Sequence, residues 1–189
     1  IATSVIMGVP HPPGTPFYLL LGNFFSQLPT FDDIGARVNL ISPIFSAFAV
    51  MFLYLIIVQL IEEWFGKVKS WPDYFITYGS ALIGALTFAF SDAHWFNAVE
   101  AEVYPLSTFF TSIVVWLILK WSSNSGHSGN VRYILIIAYM LGLAIGIHLL
   151  NLLALPFIAL IVYFNKYEFK PLTFLATIGI TIITFMVIY

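Results

Sequence analysis

Long apolar runs separated by short polar segments dominate this sequence. A helix needs about 20 apolar residues to cross the hydrocarbon core of a bilayer, and several runs approach or reach that length. The predicted spans are Asn39–Ile61, Tyr74–Phe90, Pro105–Trp121, Val131–Leu150, Leu152–Phe164 and Leu172–Tyr189. The fifth of these spans is short, and its boundary with the fourth is left open. The pattern therefore predicts an all-α polytopic membrane protein with about six spans.

One further apolar run, Phe17–Leu28, is too short to span easily. It is predicted to form a helix that lies at the membrane interface or re-enters the membrane. Thr15 is a plausible N-cap for this helix, and Pro16 suits its first helical position.

Composition strengthens the membrane assignment. The 189 residues have a mean hydropathy of +0.96, and only 8% are charged, which is far too little charge for the surface of a soluble domain. The absence of cysteine excludes disulfides, zinc–thiolate sites and thiol nucleophiles. The chain starts without methionine and stops inside an apolar run, so we expect a piece of a longer protein. Residues 1–38 would end its first extracytoplasmic loop and carry the interfacial helix, and residues 39–189 would form the spans.

Basic residues orient the predicted spans. If the spans alternate, three loops that hold six of the seven basic residues share one side, and only Arg37 lies opposite. The positive-inside rule makes the lysine-rich side cytoplasmic. The six residues are Lys67, Lys69, Lys120, Arg132, Lys166 and Lys170.

The opposite side collects the titratable chemistry, in the segments "HPPG", "DDIGARVN", "SDAHWFNAVEAEVY" and "HLLN". A membrane scaffold is not expected to concentrate such groups on its non-cytoplasmic face. We therefore predict a periplasmic or luminal active face. The sequence has no Gly-rich phosphate loop, no nucleophile elbow and no basic stripe for nucleic acid.

The motif His11–Gly14 precedes the interfacial helix directly. The N-terminus of a helix offers free N–H groups and a partial positive charge, which together favour an anion such as a lipid-linked phosphate. The alternative is a rigid turn that only separates two helices.

Asp92, His94 and Trp95 lie together in the third polar segment. Asp92 and His94 could ligate a divalent cation, although no HExxH pair or dense carboxylate cluster supports one. No metal site and no cofactor are therefore predicted. Trp95 could stack on a sugar, or it could be an ordinary residue of the interfacial aromatic belt.

Two glutamates follow in the same segment. If Asn97–Tyr104 is helical, Glu100 and Tyr104 share a face, whereas Glu102 points about 200° away from Glu100. Only one of the two carboxylates would then face a given site. Tyr104 has the same two interpretations as Trp95.

His148 and Asn151, three positions apart, lie near the end of a predicted span. Polar groups inside a membrane are candidates for function, and interhelical hydrogen bonding is the alternative. Arg37, the lone basic residue on the acidic side, could contact a phosphate or form a structural salt bridge.

Four strings together carry a family resemblance: "IATSVIMGVPHPPGTPFYLLLGNFFSQLP", "RVN", "FSDAHWFNAVEAEVYPLS" and "GLAIGIHLLNLL". They resemble the polytopic membrane proteins grouped as domain-of-unknown-function family 2723, over nearly the whole chain. That family has bacterial members and includes a human O-mannosyltransferase of plexin-type receptor domains. The resemblance implies a GT-C-like helical bundle and a GT-C type glycosyltransferase.

The resemblance also implies roles for particular residues. His11, Pro12, Pro13 and Gly14, with Arg37, would bind the lipid phosphate of the donor, because related transferases carry a proline pair after a basic residue. His11 would stabilise the leaving phosphate. The general base of the family belongs to an Asp-x-Gly-Glu-like motif just before the string that opens this chain, so it is expected upstream of Ile1.

Glu102, in preference to Glu100, is expected to orient the acceptor or the sugar. The remaining polar candidates would support the substrate from around the site; they are Asp92, His94, Trp95, Glu100, Tyr104, His148 and Asn151.

The implied reaction transfers a hexose such as mannose from a polyprenyl- or dolichyl-phosphate carrier to Ser or Thr hydroxyls of extracytoplasmic proteins, with inversion. The expected location is the bacterial inner membrane, or the endoplasmic reticulum membrane in a eukaryote. Two alternatives remain open: a transporter or flippase of a lipid-linked sugar, and a non-catalytic subunit of a glycosylation complex.

Overall fold

The computed structural model describes residues 1–10, 15–126 and 129–188. The predicted motif His11–Gly14 and the last residue of the sixth predicted span, Tyr189, lie outside these residues. Within them all regular structure is helical, which confirms the predicted class. The α-helices are α1 Ala2–Val5, α2 Pro16–Ser26, α3 Ile34–Asn39, α4 Ile41–Phe65, α5 Trp71–Tyr74, α6 Ser80–Ala89, α7 Asp92–Val99, α8 Tyr104–Ser123, α9 Val131–Ile145, α10 Ala154–Lys166 and α11 Pro171–Ile188. A π-helical turn, Phe75–Gly79, joins α5 to α6, and a 3-10 helix, Leu149–Leu153, precedes α10.

Four helical stretches in the described residues are long and apolar enough to cross a membrane. They are Ile34–Phe65, Tyr104–Ser123, Leu149–Lys166 and Pro171–Ile188. A fifth results if Trp71–Ala89 and Asp92–Val99, which meet at a bend of 62°, count as one broken span. The structure therefore supports a polytopic helical membrane protein with four or five such stretches, fewer than the six predicted.

The predicted fourth and fifth spans have different boundaries in the structure. Helix α9 has only 15 residues, about 22 Å at 1.5 Å per residue, and it ends at Ile145 rather than Leu150. The chain then breaks at Gly146–His148 and resumes as the 3-10 helix. Polar side chains near the break bind local backbone groups and so stabilise a conformation that an apolar pattern does not indicate.

Helix α8 is the centre of the bundle. It packs along α4 on one side and against α9 and α10 on the other. One apolar cluster, around Leu106 and Phe110, joins α8 to α2, α4 and α9, and a second, around Ile118 and Trp121, joins it to α9 and α10. The two clusters lie at successive levels along α8, so this helix fixes the relative positions of its neighbours.

Hydrogen bonds tie three helix ends together at one end of the bundle. The Gln59 Nε2 of α4 donates to the Ser123 Oγ of α8 at 2.8 Å, and the Asn165 Nδ2 of α10 donates to the Ser122 Oγ at 3.0 Å. These helix ends carry or precede Lys67, Lys120 and Lys166. The lysines that the sequence predicts to share the cytoplasmic side thus do lie at one end of the bundle.

Candidate functional site

A cavity of about 620 Å³ lies at the opposite end of the bundle. It collects side chains from α1, α2, the segment before α8, the break after α9, and α11. Three of the predicted site residues line it: Glu102, Tyr104 and His148. Pro10 and Thr15, which flank the motif His11–Gly14 in sequence, also line it. This cavity therefore brings together residues that lie as far apart in sequence as Pro10 and His148.

The backbone near Glu102 is held by polar side chains from the start of the α3–α4 unit. Asn39 Nδ2 donates to the carbonyl of Val99 at 2.9 Å, and the Glu102 N–H donates to the buried Ser42 Oγ at 3.4 Å. Between these tethers Glu100 is extended, with φ −111° and ψ 150°, and the Glu102 N–H also donates to the Glu100 carbonyl at 2.9 Å. The segment that carries the carboxylate is thus positioned by α4 rather than by a helix of its own.

This geometry corrects the conditional prediction of a helix over Asn97–Tyr104. Helix α7 ends at Val99, and α8 begins only at Tyr104. Glu100 and Tyr104 therefore do not share a helical face. Of the two glutamates, Glu102 lines the cavity, and Glu100 is exposed outside its lining.

Asn151 is buried and has several hydrogen bonds to neighbouring helices. Its Nδ2 donates to the carbonyls of Ala144 and His148 at 2.9 and 3.0 Å. Its Oδ1 accepts from Ser107 Oγ at 2.8 Å and from Thr111 Oγ1 at 3.1 Å. The amide thus joins α8 to the break after α9, as the interhelical alternative anticipates.

His148 lies at the start of the 3-10 helix, and its side chain is partly exposed to the cavity. Its Nδ1 accepts a hydrogen bond from the Leu150 N–H at 3.1 Å, which caps the 3-10 helix. The imidazole lies 5.6 Å from the ring of Tyr104, centroid to centroid. Because the Nδ1 is used, the Nε2 is the nitrogen available to a ligand, and it carries the proton in the neutral ring.

Tyr18 is a cavity-lining residue that the sequence analysis missed. It lies on the buried face of α2, with 6% of its surface exposed, and its hydroxyl has no hydrogen-bond partner among the described residues. Burial raises the pKa of Tyr18 to about 12, and the nearby negative charge of Glu102 adds to the rise. In the sequence Tyr18 is one more aromatic residue in an apolar run, and only its position four residues after "HPPG", in the first turn of α2, distinguishes it.

The start of α2 has the expected cap residues, with Thr15 at the N-cap and Pro16 at the first helical position. The Thr15 side chain makes no capping hydrogen bond. Pro16 has no N–H, and the Phe17 N–H donates to the carbonyl of Gly146 at 2.9 Å. The helix end thus offers an anion fewer free donors than the sequence suggests.

His94 and Trp95 lie apart from this cavity, in a cleft of about 230 Å³ between α4 and α7. His94 is buried with 8% exposure, whereas Trp95 is half exposed and stacks on Phe90 with ring centroids 5.7 Å apart. Asp92, in the first turn of α7, is exposed. The structure therefore does not bring these three residues to Glu102, although they are close to it in sequence.

Arg37 also lies outside the cavity lining. Its Nε donates to the carbonyl of Phe31, and its Nη1 donates to the carbonyl of Ser26 at 3.2 Å. The guanidinium thereby holds the connection between α2 and α3. In the described residues no three His, Asp or Glu side chains form a group that could hold a metal ion.

These features define a class of protein: a polytopic helical membrane protein with a cavity, lined by both apolar and polar side chains, at the bundle end opposite its clustered lysines. Residues 1–170 match the family described as "Protein O-mannosyl-transferase TMEM260 N-terminal domain", and the chain belongs to this family.

Two curated relatives are similar over most of the chain. The mouse protein named "Protein O-mannosyl-transferase TMEM260" is 25% identical over 139 residues, which are 74% of this chain and 18% of that protein. The Dictyostelium discoideum protein named "Protein O-mannosyl-transferase tmem260" is 25% identical over 128 residues, which are 67% of this chain and 14% of that protein. The chain thus spans less than a fifth of either relative's length. No solved structure matches it.

Proposed function

We propose that this chain is the donor-binding part of a membrane glycosyltransferase that transfers mannose to Ser or Thr hydroxyls of extracytoplasmic proteins. The observation that carries the proposal is the cavity that Glu102, Tyr104 and His148 share with both flanks of the motif His11–Gly14. The names of the two relatives support the choice of sugar and reaction.

The donor is a mannose linked to a polyprenyl or dolichyl phosphate. Its chain lies in the bilayer, and its phosphate lies at the end of the cavity flanked by Pro10 and Thr15, close in sequence to His11. Phosphate release from the sugar needs charge stabilisation, which a cation or a fixed hydrogen-bond donor supplies without a nucleotide-binding fold. We assign this role to His11, and phosphate binding beside it to Pro12, Pro13 and Gly14.

Three described residues position the substrate or the segments around it. Arg37 stabilises the turn beside α2, so its influence on the phosphate is indirect. Glu102 orients the sugar or the acceptor hydroxyl, and His148 offers its Nε2 to the same substrate. The general base is an acidic residue upstream of Ile1, and direct displacement inverts the anomeric carbon.

The proposed protein is an integral membrane enzyme of GT-C type. Its active face is periplasmic in a bacterium and luminal in the endoplasmic reticulum of a eukaryote. The lysine-bearing bundle end would then lie in the cytoplasm, as the positive-inside rule requires.

The test uses membranes that contain the full-length protein. Radiolabelled polyprenyl-phosphate hexoses are added with Ser/Thr-rich peptides, and the wild type is compared with His11→Ala and Glu102→Gln at equal expression. Labelled peptide from the wild type and a strong loss in both variants would support the proposal. Movement of the lipid-linked sugar across the membrane, without any covalent product, would support a flippase instead.

A further inference from the structure

Two polar side chains in the wall of the large cavity have no hydrogen-bond partner among the described residues. The Tyr18 hydroxyl is buried and, in the part of the chain that the structure describes, has neither donor nor acceptor. The Glu102 side chain is exposed, lines the same cavity, and accepts no hydrogen bond from a described residue. A buried hydroxyl without a partner is unfavourable relative to a satisfied one, so a ligand that pairs with it would stabilise this wall.

The two groups have opposite hydrogen-bonding needs. With its raised pKa the phenol keeps its proton throughout the physiological range, so it can always donate. A carboxylate can only accept. Tyr18 and Glu102 line the same cavity, so one ligand there can meet both side chains.

We infer that Tyr18 and Glu102 form a recognition pair for one uncharged hydroxyl group of the substrate. This hydroxyl accepts a hydrogen bond from the Tyr18 phenol and donates one to the Glu102 carboxylate. The inference rests on the proposed function and extends it, because it states which chemical group of the substrate lies at this wall.

A phosphate suits the same wall poorly. Like charges close together destabilise each other, and the effect is stronger where water is excluded. A phosphate beside Glu102 would meet a second negative charge, whereas a neutral hydroxyl satisfies both side chains. The donor phosphate therefore lies elsewhere in the cavity, and the hydroxyl-bearing end of a substrate lies at Tyr18 and Glu102.

The phenol oxygen is closed to water in the ligand-free structure. A substrate hydroxyl reaches it only after a side chain of the wall rotates. Glu102 is exposed and held only through its backbone N–H, so its side chain can turn towards a hydroxyl group in the cavity.

A sugar of the donor and a Ser or Thr of the acceptor both supply such a hydroxyl. The experiment separates these sources with the full-length protein purified in detergent. Binding is measured by tryptophan fluorescence for four probes: dolichyl-phosphate mannose, dolichyl phosphate without sugar, a Ser/Thr-rich peptide, and the same peptide with Ala in place of Ser and Thr. Transfer kinetics are measured on the same preparations.

The variants are Tyr18→Phe, Glu102→Gln and the double variant. Tyr139→Phe and Glu168→Gln are matched controls, because both side chains are exposed and neither lines the cavity. We expect each test variant to bind one hydroxyl-bearing probe about tenfold more weakly, with no change for the matching probe that lacks the hydroxyl. The double variant should lose little more than either single variant, because both residues bind one group.

The probe whose binding is weakened shows whether the hydroxyl group comes from the donor or from the acceptor. A loss confined to dolichyl-phosphate mannose, with a raised KM for the donor, assigns the sugar hydroxyl. A loss confined to the Ser/Thr peptide, with a raised KM for the acceptor, assigns the acceptor hydroxyl. Wild-type affinity of Tyr18→Phe for all four probes, or equal losses with and without the hydroxyl, overturns the inference. Hydroxyl-dependent binding without any transfer leaves the pair standing and contradicts the proposed function.

Discussion

The backbone N–H of Phe17 donates a hydrogen bond to the carbonyl of Gly146 at 2.9 Å. This bond joins the first turn of α2 to the break after α9, between two segments that line the cavity. It also satisfies a donor at a helix start and an acceptor at a helix end, both of which lack partners within their own helices. The cavity wall therefore depends on close approach of the two backbones.

Replacement of Gly146 by Ala should loosen this junction. A Cβ at position 146 would lie 3.2 Å from the Leu143 carbonyl oxygen and 3.4 Å from the Phe17 Cβ. The backbone angles of Gly146, φ −71° and ψ −1°, suit any residue, so the effect comes from crowding rather than backbone strain. We expect a loss of about 1 kcal/mol in the free energy of unfolding and a several-fold drop in substrate affinity, measured by thermal unfolding and by ligand binding.

Gly142→Ala is the matched control. Position 142 lies inside α9, and a Cβ there meets no atom within 4 Å. Alanine favours a helix interior over glycine by up to about 1 kcal/mol, so this variant should be as stable as the wild type or more stable. Equal unfolding free energy and substrate affinity of Gly146→Ala and Gly142→Ala would show that the contact between Phe17 and Gly146 does not limit how α2 packs against the break after α9.

Asn151→Leu should destabilise the protein strongly. Leucine is similar in size, but it cannot replace the hydrogen bonds that link Asn151 to Ser107, Thr111 and two backbone carbonyls. Buried polar groups left without partners cost about 1 to 3 kcal/mol each, so we expect a total loss of roughly 3 kcal/mol. The thermal unfolding midpoint of the full-length protein in detergent checks this value.

Asn97→Ala gives the comparison for that experiment. Asn97 donates one exposed hydrogen bond, to the carbonyl of Ala93 in its own helix. Its loss should change the free energy of unfolding by less than about 0.5 kcal/mol. An unfolding midpoint for Asn151→Leu within the error of Asn97→Ala would contradict the structural role assigned to the buried amide.

Hydropathy was enough to predict the helical membrane class, because membrane spans differ from soluble helices in composition as well as period. The start of α2 at Thr15 and Pro16 was equally predictable from the sequence, because capping preferences depend on residues that are adjacent in the chain. Helix ends were less predictable. The amide of Asn151 binds the carbonyls of Ala144 and His148 at the break after Ile145 and two hydroxyls of α8. An apolar run in the sequence gives no sign of such distant contacts.

The composition of the site was predicted only in part, for a related reason. Asp92 and His94 were grouped with Glu102 because they are neighbours in sequence, but the extended residues after Val99 separate α7 from the cavity. Tyr18, in contrast, becomes a site residue only because α2 packs beside the segment that carries Glu102. Tertiary packing decides both cases.

The raised pKa of Tyr18 makes a prediction about alkaline stability. Its value is about 12 in the folded protein, against an ordinary value of 10.0. Folding therefore favours the protonated phenol, and the corresponding stabilisation is complete below pH 10 and is lost as the pH rises towards 12. Wild type should lose more unfolding free energy than Tyr18→Phe between these two pH values, measured by chemical denaturation at each pH.

The Tyr18→Phe variant separates the effect of the buried hydroxyl itself from the effect of its ionisation. Near neutral pH, Tyr18→Phe should be at least as stable as the wild type, because it removes a buried hydroxyl that has no partner. Ultraviolet difference titration should show one tyrosine fewer that ionises near pH 12 in the variant. Parallel stability curves for the two proteins from pH 9 to pH 12 would show that Tyr18 ionises as an exposed tyrosine does.

Glu102 and Glu100 provide the most direct test of the site, because they are two residues apart and differ mainly in the direction of their side chains. Glu102 and Tyr18 both line the cavity, whereas Glu100, in the segment between α7 and α8, does not. Glutamine keeps the shape of glutamate and removes its charge. Glu102→Gln should therefore lower the transfer rate by about 10- to 100-fold, and Glu100→Gln should lower it far less.

Expression and thermal unfolding of both variants should match the wild type, since neither carboxylate accepts a hydrogen bond from a described residue. Glu168→Gln, at the lysine-bearing end, controls for loss of one negative charge. If Glu100→Gln were the more damaging change, the substrate would have to approach from the α7 side, near His94 and Trp95, and the cleft between α4 and α7 would replace the large cavity as the candidate site. A comparison of kcat/KM for these three variants therefore chooses between these two candidate sites.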